Sequence, residues 1–422
     1  MSAEDARASA RLGIELAQRR EFAEAAQAFE RALELRPDDS VSAFNLGVVE
    51  DEMGRACVAE GDYERAEFLL KSAARHVPRN ADPQANLAFL YHVLGRVDEA
   101  IAAGEAAVAV EPGHAQSHVN LALSYLLAGD YERGFREFEW RSVPPGPPDV
   151  PRWDGADLKG GRLLVTREQG LGDFILFSRF FRALQMRGAR VCVEVPTLLR
   201  DLYVGFEGID ELVDEGRVIE PSRYAAFLPI AGIPHALRIG TGDVDVPVPY
   251  LRADADKTQR FAELFDGVAG KKRIGIAWAG SAAHVMDRHR SCGLAAFATL
   301  ADVEGIAWIS LQKGPPEAEA AHPPAGMNVL RLDDRLGNLD DTAAAIAALD
   351  LVICIDTAVA HLAGALGKPV WLLNGFGNYW LWGLRKTQTP WYPTMRLFHQ
   401  PSPGDWKGLF REVRDALSAS QK

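Results

Sequence analysis

A short glycine-rich loop carries the first side chain whose type and place suit chemistry. Its sequence, Gln169-Gly170-Leu171-Gly172-Asp173, stands between an apolar stretch and an amphipathic one and predicts a strand-to-helix junction. The glycines allow the backbone to approach a ligand closely, and a helix N-terminus favours a negative group. The third glycine of the dinucleotide-binding fingerprint is absent. Asp173 has two interpretations: a general base that takes a proton from a hydroxyl, or a helix N-cap.

A second junction holds an aspartate, a threonine and a histidine close together. Asp356 and Thr357 follow an apolar stretch that ends at Ile355, and His361 comes one helical turn later. We expect Asp356 and Thr357 to cap a helix whose first N–H groups are free to bind an anion. His361 is either part of that anion site or a hydrogen-bonded histidine of the core.

A third loop is rich in arginine. The apolar stretch IAWA ends at Gly280 and Ser281, and the following residues SAAHVMDRHRS contain Arg288, Arg290 and Ser291. Guanidinium groups match the geometry of phosphate oxygens, so this loop predicts a clamp on a diphosphate. An exposed, solvated loop would account for the same charges.

Gln312 and Lys313 end another apolar stretch and are expected on the same rim, as a second phosphate or nucleotide contact. A surface lysine is the alternative interpretation. The sequence contains no His/Cys/Asp cluster with metal-ligand spacing, no GxSxG and no GxxxxGK[ST]. These absences disfavour hydrolase and P-loop chemistry. We expect a phosphate-facing cleft without a metal or a resident cofactor.

The elements that must position these loops form an α/β region. After a proline-rich linker at 142–157, strand, loop and helix patterns alternate along the chain. We divide this region into lobes at 158–252 and 253–422, with helices expected across FILFSRFFRALQMRG (174–188) and LAAFATLAD (294–302). Ligands bind this architecture at the carboxyl ends of the strands, which places the loops around a cleft between the lobes.

The first third of the chain is an internal repeat. Pro37, Pro78 and Pro112 each close an alanine-rich amphipathic stretch, and the last two are 34 residues apart. Small and large residues recur in register four times, so residues 1–141 resemble the tetratricopeptide family and predict an all-α solenoid. Seven additional residues near 54–60 would lengthen the first helix of the second repeat by about two turns. Such arrays bind a peptide or partner protein, or serve as a spacer or a homodimer contact.

Composition limits the remaining possibilities. The net charge of −12 argues against a nucleic-acid partner, because no basic surplus exists to displace phosphate counterions. The four cysteines lack disulfide or zinc-ligand spacing and are expected to be reduced. No uncharged apolar stretch reaches the roughly 18 residues of a membrane span, and the N-terminus lacks a signal-peptide pattern. We therefore expect no membrane span and a cytoplasmic location.

Taken in order, the motifs EQGLGD, IAWAGS, DRHRS, SLQKG and DTAVAHLAGALGKPVWLL resemble those of tetratricopeptide-containing bacterial glycosyltransferases. The catalytic domain of that group is related to the ADP-heptosyltransferases, and a more distant resemblance is to the protein O-GlcNAc transferases. The resemblance covers nearly the whole chain. It implies a GT-B fold of two Rossmann-like lobes and an inverting, metal-independent transfer from a nucleoside-diphosphate sugar.

The resemblance also implies roles for individual residues. Asp173 matches the candidate base, beside an acceptor loop of Gln169, Gly170 and Gly172. The residues that would face the donor are Gly280, Ser281, Arg288, Arg290, Ser291, Gln312, Lys313, Asp356, Thr357 and His361. Positive groups and helix N-termini would offset the charge of the leaving diphosphate. The segment NGFGNYWLWG (374–383) departs from the relatives, so sugar preference does not transfer, and its aromatic residues either stack on a ligand or pack in the core.

The fusion of the two regions leads to our functional hypothesis, a glycosyltransferase that modifies a protein held by the tetratricopeptide groove. Two alternatives remain at this point. One is a glycolipid or lipopolysaccharide heptosyltransferase-like enzyme in which the repeats organise assembly. The other is a tetratricopeptide scaffold whose transferase domain has lost catalysis.

Overall fold

The computed structural model describes residues 3–244, 246–281, 287–376 and 379–420, except for the side chains of residues 3, 288 and 289. The chain divides into two compact units, Met1–Ser142 and Val143–Lys422. This division falls one residue from the boundary chosen on sequence. The hydrophobic clusters of the two units are separate.

The first unit is built from helix pairs. Its first helices pack on one another, α1 on α3, α3 on α5 and α5 on α7, and therefore form one continuous layer. The helices within the described residues are α1 (Ala3–Gln18), α2 (Phe22–Leu35), α3 (Ser40–Glu60), α4 (Tyr63–His76), α5 (Asp82–Val93), α6 (Val97–Val110), α7 (Ala115–Ala128) and α8 (Tyr131–Phe138).

The sequence signals for helix ends in this unit are confirmed. Helices α2, α4 and α6 each end two residues before Pro37, Pro78 or Pro112, because proline cannot donate the next helical hydrogen bond. Helix α3 has 21 residues where α7 has 14, so the expected lengthening is also confirmed. Ala66 and Ala73 are fully buried, which lets α4 approach its neighbours closely.

The second unit begins with a four-stranded parallel sheet. Its strand order is β3-β2-β1-β4, and apolar residues of the central strands, such as Leu164 and Cys192, lie opposite each other in the buried register. The elements of this lobe are β1 (Arg162–Thr166), α9 (Leu171–Ser178), α10 (Phe181–Met186), β2 (Arg190–Val195), β3 (Glu211–Asp214), β4 (Ala226–Pro229) and α11 (Ile233–Leu237).

The expected single helix across 174–188 is wrong, because the chain turns between α9 and α10. At this turn the Ser178 hydroxyl donates to the carbonyl of Ile175 at 2.8 Å, and Arg179 Nε donates to the carbonyl of Leu176 at 3.0 Å. These side chains take carbonyls that the next helical turn would otherwise use. The break leaves the Arg179 guanidinium inside the protein.

A second, larger sheet follows. Its order is β10-β11-β9-β8-β5-β6-β7, and all neighbours are parallel except the edge pair β10 and β11. The elements of this lobe are α12 (Ala255–Leu264), β5 (Lys272–Ala277), α13 (Asp287–Arg290), β6 (Ile306–Ser310), β7 (Val329–Leu330), α14 (Leu339–Ala347), β8 (Leu351–Ile355), α15 (Ala358–Ala365), β9 (Val370–Asn374), β10 (Gln388–Thr389), β11 (Tyr392–His399) and α16 (Trp406–Ala419).

The six parallel strands of this sheet have the order of a dinucleotide-binding fold. Strand order reverses between β5 and β8, and ligands bind such sheets at that point, beyond the carboxyl ends of the strands.

One helix predicted for this lobe is not formed. The stretch across 294–302 forms a run of 3₁₀ turns at Leu294–Leu300, whose Leu294, Phe297 and Leu300 are nevertheless buried.

The predicted fold class is confirmed: an all-helical repeat region is followed by an α/β region with parallel sheets. All four cysteines are free. Among the residues that the structure describes, no helix combines the length and the apolar character that crossing a membrane requires.

Candidate active site

The two lobes of the second unit meet where helices α9 and α15 begin. Helix α9 follows strand β1 of the first lobe, and α15 follows β8 of the second. A Cβ atom built on Gly172 would lie 2.6 Å from Cδ2 of His361, so only glycine fits at this contact. The candidate base region and the candidate donor region are therefore direct neighbours.

Asp173 is the third residue of α9 and faces the second lobe. Gly170 occupies the N-cap position of α9 and Asp173 the N3 position, so Asp173 does cap the helix with its side chain, although from N3 and not as the N-cap residue. The Gly170 N–H donates to Asp173 Oδ2 at 3.1 Å, and the Tyr379 hydroxyl donates to Oδ1 at 3.2 Å. Burial raises the pKa of Asp173, although both hydrogen bonds oppose the rise. Such a carboxylate is suited to accept a proton.

The acceptor loop before Asp173 has an unusual backbone. Gln169 has a φ angle of 60°, in the left-handed region, and its side chain is exposed. The preceding Glu168 is buried and accepts the N–H of Ala231 at 2.8 Å. This bond anchors the loop to the first lobe, while Gln169 and Gly170 face outwards.

Asp356 lies at the carboxyl end of β8, opposite Asp173. Burial raises its pKa to about 6, and the negative charge of Asp173 contributes to the rise. The indole of Trp382 and the charge of Arg290 oppose it, although the Trp382 Nε1 atom does not reach hydrogen-bond geometry in the described structure. The carboxyl groups of Asp173 and Asp356, one from each lobe, are therefore close enough for the charge of Asp173 to raise the pKa of Asp356.

Thr357 occupies the N-cap position of α15 without capping it by its side chain. Its hydroxyl is directed to the carbonyl of Ile355 at 3.5 Å, and neither Asp356 nor Thr357 accepts an N–H of the first turn in the described contacts. The predicted side-chain cap is therefore wrong. The first backbone N–H groups of α15 therefore have no side-chain cap among the described contacts, as the predicted anion site requires.

His361 is buried between the lobes. Its Nδ1 atom lies 3.0 Å from the Tyr392 hydroxyl, and its Nε2 atom lies 3.9 Å from Asp356 Oδ1. Burial lowers the pKa of His361 to about 3, and the charges of Arg179 and Arg290 lower it further. The imidazole is accordingly neutral at physiological pH.

The loop beyond β5 supplies the positive charge of the site. Arg290 Nε pairs with Asp287 Oδ1 at 3.2 Å, and the same oxygen accepts the Ser291 hydroxyl at 3.0 Å. Ser291 in turn accepts the N–H of Gly280 at 2.9 Å. Ser291 thus ties this segment to the end of β5, and Arg290 remains close enough to Asp356 to lower its pKa. Ser281 is exposed, and the side chain of Arg288 lies outside the described residues.

Gln312 holds two loops together. Its Oε1 accepts the N–H groups of Trp278 and Ala279, both at 2.9 Å, and its Nε2 donates to the carbonyls of Ala279 and Lys313. The side-chain amide is fully used, so Gln312 orients the ends of β5 and β6. Lys313 is exposed and pairs with Glu317 at 3.3 Å.

Sequence reasoning missed a buried polar cluster behind His361. Arg179 Nη1 donates to the carbonyl of Trp391 at 2.8 Å, and Nη2 donates to the Tyr250 hydroxyl at 3.2 Å. The Tyr250 and Tyr392 hydroxyls lie 3.4 Å apart. The available signal was an arginine inside the apolar run FILFSRFF, a place where charge is unfavourable without partners.

The aromatic residues of 379–382 belong mainly to the core. Trp380 and Trp382 are buried, and their rings pack against Trp391 and His361 respectively. Tyr379 is half-buried and contacts Asp173 instead. Among the described residues, no group of three or more His, Cys, Asp or Glu side chains is arranged to hold a metal ion.

Family comparisons agree with both halves of the chain. Tetratricopeptide repeat models match residues 6–39, 58–103 and 94–149. The model of glycosyltransferase family 9 (heptosyltransferase) matches residues 308–383, which include Gln312, Asp356, His361 and Tyr379. The chain thus joins tetratricopeptide repeats to a domain like those of glycosyltransferase family 9. It is a glycosyltransferase.

Individual proteins are similar to all or part of the chain. Protein FlbA of Caulobacter vibrioides is 26% identical over an alignment 426 positions long, which covers 93% of this chain and 70% of that protein. A glycosyl transferase family 9 structure from Veillonella parvula is 16% identical, with a TM-score of 0.47, over 62% of this chain and 97% of that one. The ADP-heptose lps heptosyltransferase II of E. coli is 17% identical, with a TM-score of 0.46, over 62% and 100%.

The close contact at Gly172 leads to a prediction. Gly172→Ala would gain about 1 kcal/mol of helix propensity, but its Cβ would lie 2.6 Å from the buried His361 ring, and overpacking costs about 1–3 kcal/mol. We expect the His361 ring to be displaced and the melting temperature, measured by thermal unfolding, to be lower than that of wild type. Gly267→Ala is the matched control, because a Cβ there meets open space. Equal melting temperatures for the two variants would contradict the contact.

The raised pKa of Asp356 predicts a pH-dependent stability. Between about pH 3.8 and pH 6 the folded protein binds this proton more tightly than the unfolded chain, so the contribution to stability is lost as pH rises. Asp356→Asn should remove that loss, and the stability of the variant relative to wild type should increase from pH 4 to pH 6 in urea unfolding.

Asp350 provides the opposite control for this prediction. Burial tends to raise the pKa of Asp350, but its hydrogen bonds and ion pair with Arg273 hold it below the ordinary value. Asp350→Asn should therefore lose stability relative to wild type as pH rises towards about 3.8, and should change little between about pH 4 and pH 6. The same slope for both variants would contradict the assigned causes.

Proposed function

We propose that the protein is an inverting, metal-independent glycosyltransferase that moves a sugar from a nucleoside-diphosphate sugar to a hydroxyl of a bound protein. The observation that carries the proposal is the meeting of Asp173 from the first lobe with Asp356 and His361 from the second. A carboxylate on one side of a cleft and a phosphate-type site on the other are the two parts that such a transfer needs.

In the proposed reaction Asp173 acts as the general base. It takes the proton of the acceptor hydroxyl while that oxygen attacks the anomeric carbon from the face opposite the diphosphate. The bond from the anomeric carbon to the leaving phosphate oxygen breaks, and the configuration inverts. The raised pKa of Asp173 supports this role, because a more basic carboxylate accepts the proton more readily.

The donor diphosphate would lie against the start of α15 and the loop beyond β5. Arg290 supplies positive charge there, and the N-terminus of α15 adds its exposed N–H groups and its dipole. We include Arg288, Ser281 and Lys313 in this donor site as part of the proposal. Without a metal, such groups must meet the charge that develops on the leaving oxygen.

A thermal-shift screen with nucleoside diphosphates and their sugars tests the donor site. We expect one nucleotide to raise the melting temperature selectively, since a ligand that binds only the folded state stabilises it. If no nucleoside diphosphate or its sugar raised the melting temperature, the proposed donor site would be refuted. The four free cysteines support a reducing compartment, and we place the reaction in the cytoplasm as part of the proposal.

The tetratricopeptide unit would hold the acceptor protein. The layer formed by its first helices carries exposed apolar side chains on α3, namely Val41, Phe44 and Val48, one to two turns apart. Exposed apolar residues grouped on one face of a repeat array are typical of a surface that binds a partner. Acidic residues outnumber basic ones in this unit, so we expect the bound segment to be basic.

Phe44→Asp tests the acceptor surface. We expect transfer to the protein acceptor to fall at least tenfold, which corresponds to about 1.4 kcal/mol of lost binding, while nucleotide binding is unchanged. Phe68→Asp is the matched control, because Phe68 is also exposed, even more than Phe44, but lies on α4, outside the layer of first helices. An equal loss in both variants would show that the effect is not specific to α3.

The heptosyltransferase description of the matched family keeps a second function in view. A glycolipid or lipopolysaccharide-type enzyme would act on saccharide or lipid-linked acceptors and not on polypeptides. Its activity would also be insensitive to Phe44→Asp. Assays with both acceptor classes, using the nucleotide sugar found in the thermal-shift screen, separate the two functions.

A further inference from the structure

Arg179 is a buried cation without a carboxylate partner. It forms no salt bridge within the described part of the chain. Its guanidinium instead donates to backbone carbonyls and to Tyr250, and it lies 4.8 Å from the ring centroid of Tyr392. A buried charge persists only where polar groups compensate it, so this cluster is built around Arg179.

The hydroxyl protons of Tyr250 and Tyr392 determine which atoms of the cluster donate hydrogen bonds and which accept them. The single hydroxyl proton of Tyr250 goes to the carbonyl of Ile175 at 3.1 Å, so the Tyr250 oxygen acts as an acceptor towards Arg179. The Tyr392 hydroxyl proton has two acceptors in reach, His361 Nδ1 at 3.0 Å and the Tyr250 oxygen at 3.4 Å. The shorter contact favours donation to His361 Nδ1.

The surroundings of His361 Nε2 also favour a proton on Nε2 rather than on Nδ1. His361 Nε2 lies 3.9 Å from Asp356 Oδ1, so a proton on Nε2 points towards a carboxylate. A lone pair at that position would face the carboxylate and be repelled by it. Gly364 allows this arrangement, because a Cβ there would lie 2.5 Å from the Tyr392 ring, which packs against α15 one turn after His361.

We propose that Tyr392, held in place by Arg179 and Tyr250, is a positioning residue that fixes neutral His361 as the tautomer protonated on Nε2. The Nε2–H then lies on the side of the ring that faces Asp356 and Gly172, and because Asp356 at 3.9 Å is beyond hydrogen-bond distance, an anionic or hydroxyl oxygen of the bound donor can accept this proton there. The nature of that ligand rests on the proposed function, whereas the tautomer does not.

The charged and titratable groups around His361 are consistent with a neutral ring. The positive charges that act on the His361 ring are those of Arg179, at the end of α9, and Arg290, in α13. Asp356, before α15, is the negative group at Nε2, and Tyr392 of β11 is the hydroxyl at Nδ1. The ring of Trp382 covers one side at a centroid distance of 5.4 Å.

Long-range ¹H–¹⁵N spectra of protein labelled with ¹⁵N-histidine test the proposal directly, because the two ring nitrogens report the tautomer. The His361 signals are assigned by their loss in His361→Gln. We expect the pattern of an Nε2–H tautomer that stays unchanged between about pH 5 and pH 8. An Nδ1–H tautomer, or a ring that titrates in this range, would overturn the proposal.

Tyr392→Phe removes the hydroxyl and keeps the ring. We expect the His361 signals to shift to a mixture of tautomers and the affinity for the nucleoside diphosphate to fall at least threefold. Tyr203→Phe is the control, because Tyr203 is equally buried and its hydroxyl donates to Ser178 at 2.8 Å, and not to His361. A wild-type tautomer in Tyr392→Phe would overturn the role of Tyr392.

The two readouts separate this proposal from the proposed function. If the tautomer is as expected but no nucleoside diphosphate or its sugar binds, the positioning of His361 stands and the donor site is refuted. If a nucleotide binds while His361 carries its proton on Nδ1, the donor site stands and the positioning role is refuted.

Discussion

Replacing Asp173 by asparagine is expected to lower kcat by about 10²–10⁴-fold while nucleotide binding stays close to wild type. The amide keeps the shape of the side chain and can still meet Tyr379, but it cannot accept a proton from the acceptor hydroxyl. The measurement is steady-state transfer together with calorimetric binding of the nucleoside diphosphate. A loss confined to kcat identifies an interaction made only during the chemical step.

Asp405→Asn is the matched control for this variant. Asp405 also lies at a helix N-terminus and accepts a backbone N–H, that of Gly408 at 2.8 Å, but it caps α16. We expect its kcat to equal that of wild type. Retained turnover in Asp173→Asn would remove Asp173 as the base.

Arg290→Ala is expected to weaken nucleoside diphosphate binding by about 10- to 100-fold, since hydrogen bonds to charged groups contribute about 1.5–3 kcal/mol. The side chain is largely buried and lies beside Asp356 and His361. Its removal leaves the charge of Asp287 without its partner, which adds repulsion against an anionic ligand. Isothermal calorimetry at two salt concentrations measures the loss.

Arg273→Ala controls for the loss of an arginine–aspartate pair. Arg273 pairs with Asp350 at 3.2 Å at the opposite end of the same sheet, where β5 begins. We expect lower stability but unchanged nucleotide affinity in this variant. If both variants bind equally well, the diphosphate does not lie against Arg290.

Much of the fold could be predicted because its signals are local. The period of 34 residues, the closing prolines and the seven additional residues of α3 are all readable along the chain. The break between α9 and α10 could not be predicted in the same way. It depends on Arg179, whose acceptors, the carbonyl of Trp391 and the hydroxyl of Tyr250, lie far away in sequence.

For the site, the sequence predicted which loops meet but not what each side chain does there. The loops after β5, β6 and β8 follow adjacent parallel strands, so their meeting follows from the topology. Gln312 and Ser291 have side chains suited to a ligand, yet in the structure they bond neighbouring loops. Whether such a side chain binds a ligand or a neighbouring loop depends on which residues lie near it in the folded protein, and residue type and spacing do not show this.

The bond from Arg179 to the Trp391 carbonyl, 212 residues later in the chain, limits how this enzyme can be re-engineered. A direct way to change the acceptor or donor preference of a two-lobed transferase is to exchange a whole lobe for that of another enzyme. Here a first lobe transplanted as far as residue 252 would carry Arg179 and Tyr250 together, but it would leave behind the Trp391 carbonyl and the Tyr392 ring of the second lobe. A functional chimera would need to move α9, Tyr250 and the start of β11 together, so the natural unit of exchange crosses the lobe boundary.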